Sequence, residues 1–193
     1  MEKKCATKFV LWMSNRNFVN IEEAEIYVYG FELLISSFIS ILEILLIGAS
    51  INKIMFSIGY LAGFIPIRIF AGGYHAKTHN RCYLMFLIIF LICNFIPYSK
   101  NNSLAKYIVI YISLFFLIRF CAPLQAENKK LDEHDEKNYR RYALIILIIS
   151  AIFGFPFIGK ESCIWEGMLS GKIAVILFML IQIAHNMLAG MIK

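Results

Sequence analysis

The sequence predicts an all-α integral membrane protein: a polytopic helical bundle of six hydrophobic helices, preceded by an N-terminal amphipathic helix at the membrane interface. Composition is the first indication, because 60% of the 193 residues are hydrophobic and only 17% are charged, whereas a soluble domain is about 45–50% apolar and about 25% charged. Length is the second, because six long apolar stretches occupy more than half of the chain. These stretches are continuously apolar, unlike the alternating strands of a membrane barrel. The excess apolar surface must therefore face lipid.

The N-terminal segment, residues 1–28, is predicted to lie on the membrane surface. Phe9 and Trp12 fall near one helical face, with Lys8 beside it, which is the pattern of an interfacial helix. A loosely ordered tail is the alternative. The apolar run at 9–13 is too short for the core of a secretory signal peptide.

The six apolar stretches follow in order, and each predicts a helix. About 20 residues of helix cross the hydrocarbon core of a bilayer, and the second stretch, with 14 residues, is the shortest. We expect one membrane domain over residues 1–193. The stretches are 33–51, 54–67, 82–98, 107–124, 142–159 and 173–192.

The distribution of Lys and Arg predicts which loops are cytoplasmic. With six spans, fourteen of the nineteen Lys and Arg residues fall on the side of the N-terminus, and positive charge is retained on the cytoplasmic side. We therefore expect both termini, residues 68–82 and the polar loop at 125–141 on the cytoplasmic side of the cell membrane. The net charge of +6 also favours anionic membrane lipids. We expect no nucleic-acid partner, since no soluble basic domain stands out.

Residues 68–82, between the second and third stretches, include the side chain best suited to nucleophilic chemistry. Asn80 is suited to cap the third helix, which puts Cys82 in its first turn. There the free backbone amides and the partial positive charge of the helix terminus stabilise a thiolate, and Arg68 adds positive potential. We therefore expect Cys82 to be a nucleophile at the cytoplasmic boundary.

His75 stands seven residues before Cys82 and is a candidate general base. A straight helix would separate the two by roughly 10 Å, so the loop must turn back to give the contact of about 3 Å that an activated Cys–His pair needs. Gly72 and Gly73 permit backbone conformations closed to other residues, and N–H groups there or near Cys82 are candidates for stabilising an oxyanion. The alternative is an ordinary polar juxtamembrane loop.

A metal site is a second interpretation of the same segment. His75 and His79 are spaced i, i+4 and Cys82 follows three residues later, so one helical face could offer two imidazoles and a thiolate to zinc. The zinc-protease motif is absent, because Ala76 stands where that motif needs Glu. A metal-binding membrane transporter that uses His75, His79 and Cys82 is therefore the alternative function.

The segment also carries a recognisable pattern, Ala-Gly-Gly-Tyr-His-Ala at 71–76, preceded by Arg68 and followed by Cys82. It closely resembles the motif of the accessory gene regulator B (AgrB) family, the membrane peptidases of Gram-positive quorum sensing. The likeness extends over essentially the whole chain. Its weaker patterns are Tyr-Gly-Phe-Glu at 29–32, Ala-Pro at 122–123, Asn-Lys at 128–129 and Tyr-Arg-Arg at 139–141.

The resemblance implies a thiol protease, a hydrolase that cleaves the C-terminal region of a short AgrD-type precursor peptide. In this family Cys82 corresponds to the nucleophile and His75 to the general base. The thiolate would form an acyl-enzyme thioester, which an internal Cys (or Ser) of the precursor then displaces to close a thiolactone or lactone ring. The resemblance also makes a homodimer in the cell membrane of a Gram-positive bacterium the expected state. We expect no cofactor and no metal.

Glu32 is a candidate to orient His75. It lies near the predicted cytoplasmic end of the first long helix, and a carboxylate within a span usually faces protein or a water-filled cavity. Pairing with Arg68 is the alternative for Glu32. Arg68 is itself expected to hold the loop or to bind the acidic tail of the precursor, with Gly72 and Gly73 as further supporting residues.

Overall fold

A computed structural model of the chain describes residues 2–14, 16, 18, 24–73, 79–95, 103–124, 132–158 and 162–191. These residues form seven α-helices and one short 3-10 helix, with no β-strand among them. The predicted all-α class is confirmed. The chain divides into two compact units, Met1–Leu46 and Ile47–Lys193, and the expected single domain stays a prediction.

Most of the helices are long and apolar. Five of them are long and apolar enough to span a membrane, and a sixth, residues 81–95, is apolar but shorter. The chain is therefore a multi-pass membrane protein. In chain order the helices are α1 Glu2–Ser14, α2 Ala24–Ser50, α3 Ile54–Ala71, α4 His79–Phe95, α5 Ser103–Cys121, α6 Glu133–Gly154, the 3-10 helix Phe155–Phe157, and α7 Cys163–Met191.

The helices extend beyond the predicted apolar stretches. α2 begins at Ala24 rather than at 33, so residues 1–28 contain α1 and the start of α2 as well as the connection between them. α3 runs over 18 residues to Ala71, so the shortest predicted stretch is long enough to span. The difference arises because hydropathy marks only the part of a helix that contacts apolar surroundings, whereas a helix continues into its polar ends.

The start of α6 corrects the predicted polar loop at 125–141. The helix begins at Glu133, so residues 133–141 are helical. High charge correctly predicts exposure there, but Glu, Lys and Arg are also good helix formers. The helix therefore continues through a polar sequence, and Arg140 and Arg141 lie on it.

In the first unit, α1 is an amphipathic helix. Ala6 and Val10 are buried, whereas the lysines of α1 are exposed. The ring of Phe9 stacks on Trp12 at 5.7 Å between centroids and meets Phe31 of α2 edge-on at 4.7 Å. The predicted amphipathic helix is present, and its position at the membrane surface stays a prediction.

The second unit is built around α3 and α7, which lie backbone to backbone. A Cβ at Gly59 or Gly63 of α3 would collide with the main chain of α7. A Cβ at Gly167 or Gly171 of α7 would likewise collide with the main chain of α3. Small residues at four-residue spacing permit this close approach in membrane helices. The glycines on both helices therefore serve packing within the chain.

Aromatic rings fill the space beside this contact. Tyr60 and Phe64 of α3 pack on Phe86 and Phe90 of α4 with centroid distances from 4.8 to 5.7 Å. Phe64 also meets Phe178 of α7 at 5.5 Å. The shorter helix α4 is thereby fixed against both α3 and α7, which sets the position of its first turn.

Lys172 lies inside the bundle rather than ahead of the last helix. The predicted stretch starts at 173, whereas α7 begins at Cys163. The Lys172 side chain is fully buried, and its ammonium lies 5.3 Å from the ring centroid of Tyr111 and 5.8 Å from that of Trp165. The faces of aromatic rings attract a cation, and so the bundle accommodates a charge that interrupts the apolar sequence.

Candidate active site

The chain leaves α3 through two glycines in left-handed conformations. The N–H of Gly72 donates to the carbonyl of Arg68 at 3.1 Å and closes the helix. Gly72 has φ +69° and Gly73 has φ +130°, angles that residues with a side chain rarely adopt. The backbone conformation therefore requires glycine at both positions, which are two of the predicted supporting residues.

Residues 122–124, directly after α5, pair with these glycines, and we call them the strap. The N–H of Leu124 donates to the carbonyl of Ala71 at 3.0 Å, and the carbonyl of Leu124 accepts from the N–H of Gly73 at 3.2 Å. The result is a single parallel bridge between Gly72 and Leu124. A Cβ on Gly72 would collide with the carbonyl of Leu124. The strap thus holds Gly72 and Gly73 in place within residues 68–82, the segment predicted to contain the catalytic pair.

These hydrogen bonds correct one of the two predicted sets of oxyanion donors, the amides of Gly72 and Gly73. The N–H groups of Gly72 and Gly73 both donate within the fold, to Arg68 and Leu124 respectively. A buried N–H that is already paired gives little to a developing oxyanion, because it would have to break one bond to make the other. The glycines shape the loop, and the amides near Cys82, in the first turn of α4, have no acceptor within the helix and stay candidates.

α6 joins the strap to the end of α3. Nε of Arg140 donates to the carbonyl of Ala122 at 2.7 Å. The ring of Phe70 on α3 meets the rings of Tyr139 and Tyr142 on α6 at 5.8 and 5.6 Å. The ends of α3 and α5 and the start of α6 therefore meet at one end of the unit, as helices that cross a membrane in alternating directions require.

Arg68 lies within this end of the bundle. Its guanidinium is 5.3 Å from the ring centroid of Phe178 on α7, and a Cβ on Gly73 would collide with its Nη1. The side chain is half-buried and interacts electrostatically with Cys82 of α4. Arg68 is therefore a cation that contacts the glycine turn and acts on the thiol.

Cys82 is the fourth residue of α4, which begins at His79 rather than after a cap at Asn80. Its sulfur takes part in no disulfide, and the residue is half-buried. The N–H groups of a first turn have no acceptor within the helix, and their partial positive charge favours a thiolate. With Arg68 also acting on it, the sulfur of Cys82 is in a position that stabilises negative charge.

Two predicted groups lie outside the described residues. They are His75 and the side chain of His79, so the structure describes neither the Cys–His pair nor the two proposed imidazole ligands of zinc. Within the described part of the chain, no cluster of three His, Cys, Asp or Glu side chains could hold a metal ion. Glu32 is half-buried on α2, in the first unit, and its contact with His75 stays a prediction.

Comparison with known families bears on the whole of this arrangement. The sequence model described as "Accessory gene regulator B" matches residues 6–185 of the chain. The chain belongs to the AgrB family. Membership confirms the resemblance expected from the pattern at 71–76 and connects the chain with accessory gene regulator processing, with quorum sensing and with an AgrD-type peptide as partner.

Individual AgrB-like relatives agree with this membership. "Putative AgrB-like protein 2" of Clostridium perfringens (strain 13 / Type A) is 31% identical over 144 residues, which cover 70% of this chain and 67% of the relative. A protein of C. perfringens (strain SM101 / Type A) named as AgrB-like is 29% identical with the same coverage. Another, of Halalkalibacterium halodurans, is 24% identical over 68% of this chain and 66% of the relative. No solved structure matches the chain.

Sequence reasoning missed the residues that support the site in this AgrB-family chain. Leu124 bonds through its main chain only, so no side-chain pattern could reveal it. Arg140 falls in the predicted polar loop at 125–141, although the family-like pattern at 139–141 and the helix-forming character of its neighbours are usable signals. Phe178 lies in a uniformly apolar helix, where nothing in the sequence distinguishes the one ring that packs on Arg68.

Proposed function

We propose that this AgrB-family protein is a membrane-embedded cysteine endopeptidase that cleaves the C-terminal region of an AgrD-type precursor peptide and promotes closure of a thiolactone or lactone ring. The observation that carries the proposal is the position of Cys82, whose thiol lies in the first turn of α4, outside any disulfide, where the charge of Arg68 acts on it. Family membership supports the role in processing.

The first proposed step transfers the precursor to Cys82. The thiolate attacks the carbonyl carbon of the scissile peptide bond, and the first-turn amides of α4 stabilise the oxyanion that forms. The C–N bond then breaks, and His75, which took the thiol proton as general base, returns a proton to the departing amine. The C-terminal fragment leaves, and a thioester joins Cys82 to the rest of the precursor.

The second proposed step closes the ring. The thiol (or hydroxyl) of the precursor's internal Cys (or Ser) gives its proton to His75 and attacks the thioester carbonyl. The C–S bond to Cys82 then breaks, which regenerates the thiolate of Cys82. Exchange of one thioester for another is nearly neutral in bond energy, so cyclisation exceeds hydrolysis only where water is excluded. Apolar side chains around Arg68, such as Phe178, support a site with little water.

The proposal places the site on the cytoplasmic side of the cell membrane of a Gram-positive bacterium, with both termini also inside. The excess of Lys and Arg on that side supports this orientation. The precursor would then approach along the inner leaflet. Membrane lipids, met by the exposed lysines of α1, and a second copy of the chain are the other proposed partners.

The proposal is tested with the full-length protein in lipid nanodiscs and a synthetic precursor peptide. We expect release of the C-terminal fragment and a covalent enzyme adduct, seen by mass spectrometry, that hydroxylamine removes as it does a thioester. Cys82→Ala and His75→Ala should abolish both. Cys163→Ala is the matched control, because it removes an exposed thiol from the first turn of α7. Cleavage that survives Cys82→Ala would refute the assignment.

A further inference from the structure

Arg140 contacts the carbonyl group that ends α5. The N–H of Ala122 still bonds back to Ile118 at 3.2 Å, but the Ala122 carbonyl lies beyond the helix and has no acceptor role in it. Nε of Arg140 donates to this carbonyl at 2.7 Å. A cation at a helix C-terminus also complements the partial negative charge there. Arg140 therefore fixes the point where the strap begins.

The strap transmits this position to the glycine turn. Ala122 is almost fully buried, and only Pro123 separates it from Leu124. Leu124 bonds to Ala71 and Gly73 on both sides of Gly72. A shift at Ala122 must therefore move these two hydrogen bonds or break them.

The glycine turn in turn determines where the Arg68 guanidinium lies. The space beside Gly73 that a Cβ would fill contains Nη1 of Arg68, and the ring of Phe178 bounds the guanidinium at 5.3 Å. From this position Arg68 interacts with Cys82. Contacts therefore run from α6, through the strap and the turn, to Arg68, and the charge of Arg68 acts on the thiol.

We propose that Arg140 is a positioning residue for the cysteine chemistry: through the strap and the Gly72–Gly73 turn it holds Arg68 where it stabilises the Cys82 thiolate. The importance of Arg140 for catalysis rests on the proposed function, whereas its effect on the reactivity of the Cys82 thiol does not. Arg140 contacts neither Cys82 nor substrate in this scheme. The aromatic contacts of Phe70 with Tyr139 and Tyr142 remain when Arg140 is replaced, so α6 should stay in place.

The test measures the alkylation rate of each cysteine by iodoacetamide, resolved peptide by peptide, in the full-length protein in nanodiscs without substrate. Arg140→Met keeps the apolar stem and removes the donor. We expect it to slow alkylation of Cys82 roughly fivefold, the factor that loss of one partly exposed charge interaction gives. Arg141→Met is the matched control, since Arg141 is the exposed neighbour with the same charge, and it should leave the rate unchanged. Arg140→Lys, which retains a donor, should restore most of the rate.

Two cysteines serve as internal standards in the same experiment. Cys93 is 2% exposed and should stay unreactive in every folded variant. The exposed Cys163 should be alkylated at the same rate in all variants, which shows that the reagent is equally active in each. A merely loosened bundle would speed alkylation of Cys82 and expose Cys93, which is opposite in sign to the expected result. An unchanged Cys82 rate with Cys93 protected, or a faster one, overturns the proposal.

A second variant decides the matter if Arg140→Met does not fold. Leu124→Pro removes the N–H that bonds to Ala71 while leaving Arg140 intact, and we expect the same slow alkylation of Cys82. An unchanged rate in that variant would equally overturn the proposal. The outcome is separable from that of the proposed function, because cleavage that survives Cys82→Ala removes the peptidase but leaves the alkylation result standing.

Discussion

Gly73 lies so close to Arg68 that a methyl group on its Cα would collide with Nη1. The contact joins a residue with φ +130° to the one arginine of α3. Because that arginine also interacts with Cys82, the missing side chain of Gly73 is part of the geometry around the thiol. The glycine pair thus contributes to the site by leaving space.

Gly73→Ala should impair processing strongly while leaving the helices intact. The new Cβ displaces the guanidinium of Arg68, and a left-handed backbone at a residue with a side chain costs about 1–3 kcal/mol. We expect formation of the thioester adduct to fall at least tenfold, measured by mass spectrometry after fixed times. Gly30→Ala is the control, because a Cβ at Gly30 meets nothing within 4 Å; full activity in Gly73→Ala would contradict the prediction.

Gly63→Val should destabilise the second unit. Its side chain would meet the α7 main chain at Met168, and backbones in direct contact cannot repack around an extra branched group. Overpacking of this kind costs about 1–3 kcal/mol. Unfolding in mixed micelles, followed by circular dichroism, should therefore occur at lower denaturant, whereas Ala62→Val on the exposed side of α3 should not shift it. Equal shifts in the two variants would count against the packing described.

Lys172→Met should leave the protein as stable or make it more stable. The ammonium is fully buried and finds no hydrogen-bond acceptor among the described residues; the aromatic faces of Tyr111 and Trp165 are its described surroundings. A lysine at the centre of a span costs about 2.5–3.5 kcal/mol, and cation–π contacts return about 2 kcal/mol when desolvated. The same micelle assay should show a gain of about 1 kcal/mol, and a clear loss would show that the charge has a partner that stabilises the fold.

Metal removal should leave cleavage unchanged. The proposed chemistry needs a thiolate, a base and amide donors, and within the part of the chain that the structure describes no set of side chains could hold a metal ion. Extended treatment with EDTA and a zinc-selective chelator should therefore not alter the rate of fragment release. Stoichiometric zinc in the purified protein, together with loss of activity on chelation, would instead support the site formed by His75, His79 and Cys82.

The sequence predicted the features that depend on local rules. Composition and apolar length gave the fold class, and helix-terminus chemistry correctly put Cys82 in the first turn of α4. The charged sequence at 125–141 predicts a loop, although α6 already begins at Glu133. The reason is that charge indicates exposure and not backbone conformation. The last predicted stretch likewise begins only after Lys172, because a charged residue interrupts the apolar sequence, although the rings of Tyr111 and Trp165 lie against its ammonium.

What could not be predicted is the support of the site, which depends on contacts between distant segments. The bond from Arg140 to Ala122 joins residues 18 positions apart, and Leu124 reaches Ala71 across more than fifty. Main-chain bonds of this kind leave no mark in side-chain patterns. The motif at 71–76 indicated the family correctly although it does not show which distant segments support the site.

The bridge between Gly72 and Leu124 restricts the residue type much more strongly at position 72 than at position 124. Leu124 contributes only its main chain, so every residue type except proline can supply both bonds, while Gly72 can accept no side chain at all. A saturation library should therefore show an almost flat tolerance profile at 124 and a single permitted residue at 72. Segments after α5 could accordingly be exchanged between homologues without rebuilding the junction that holds them.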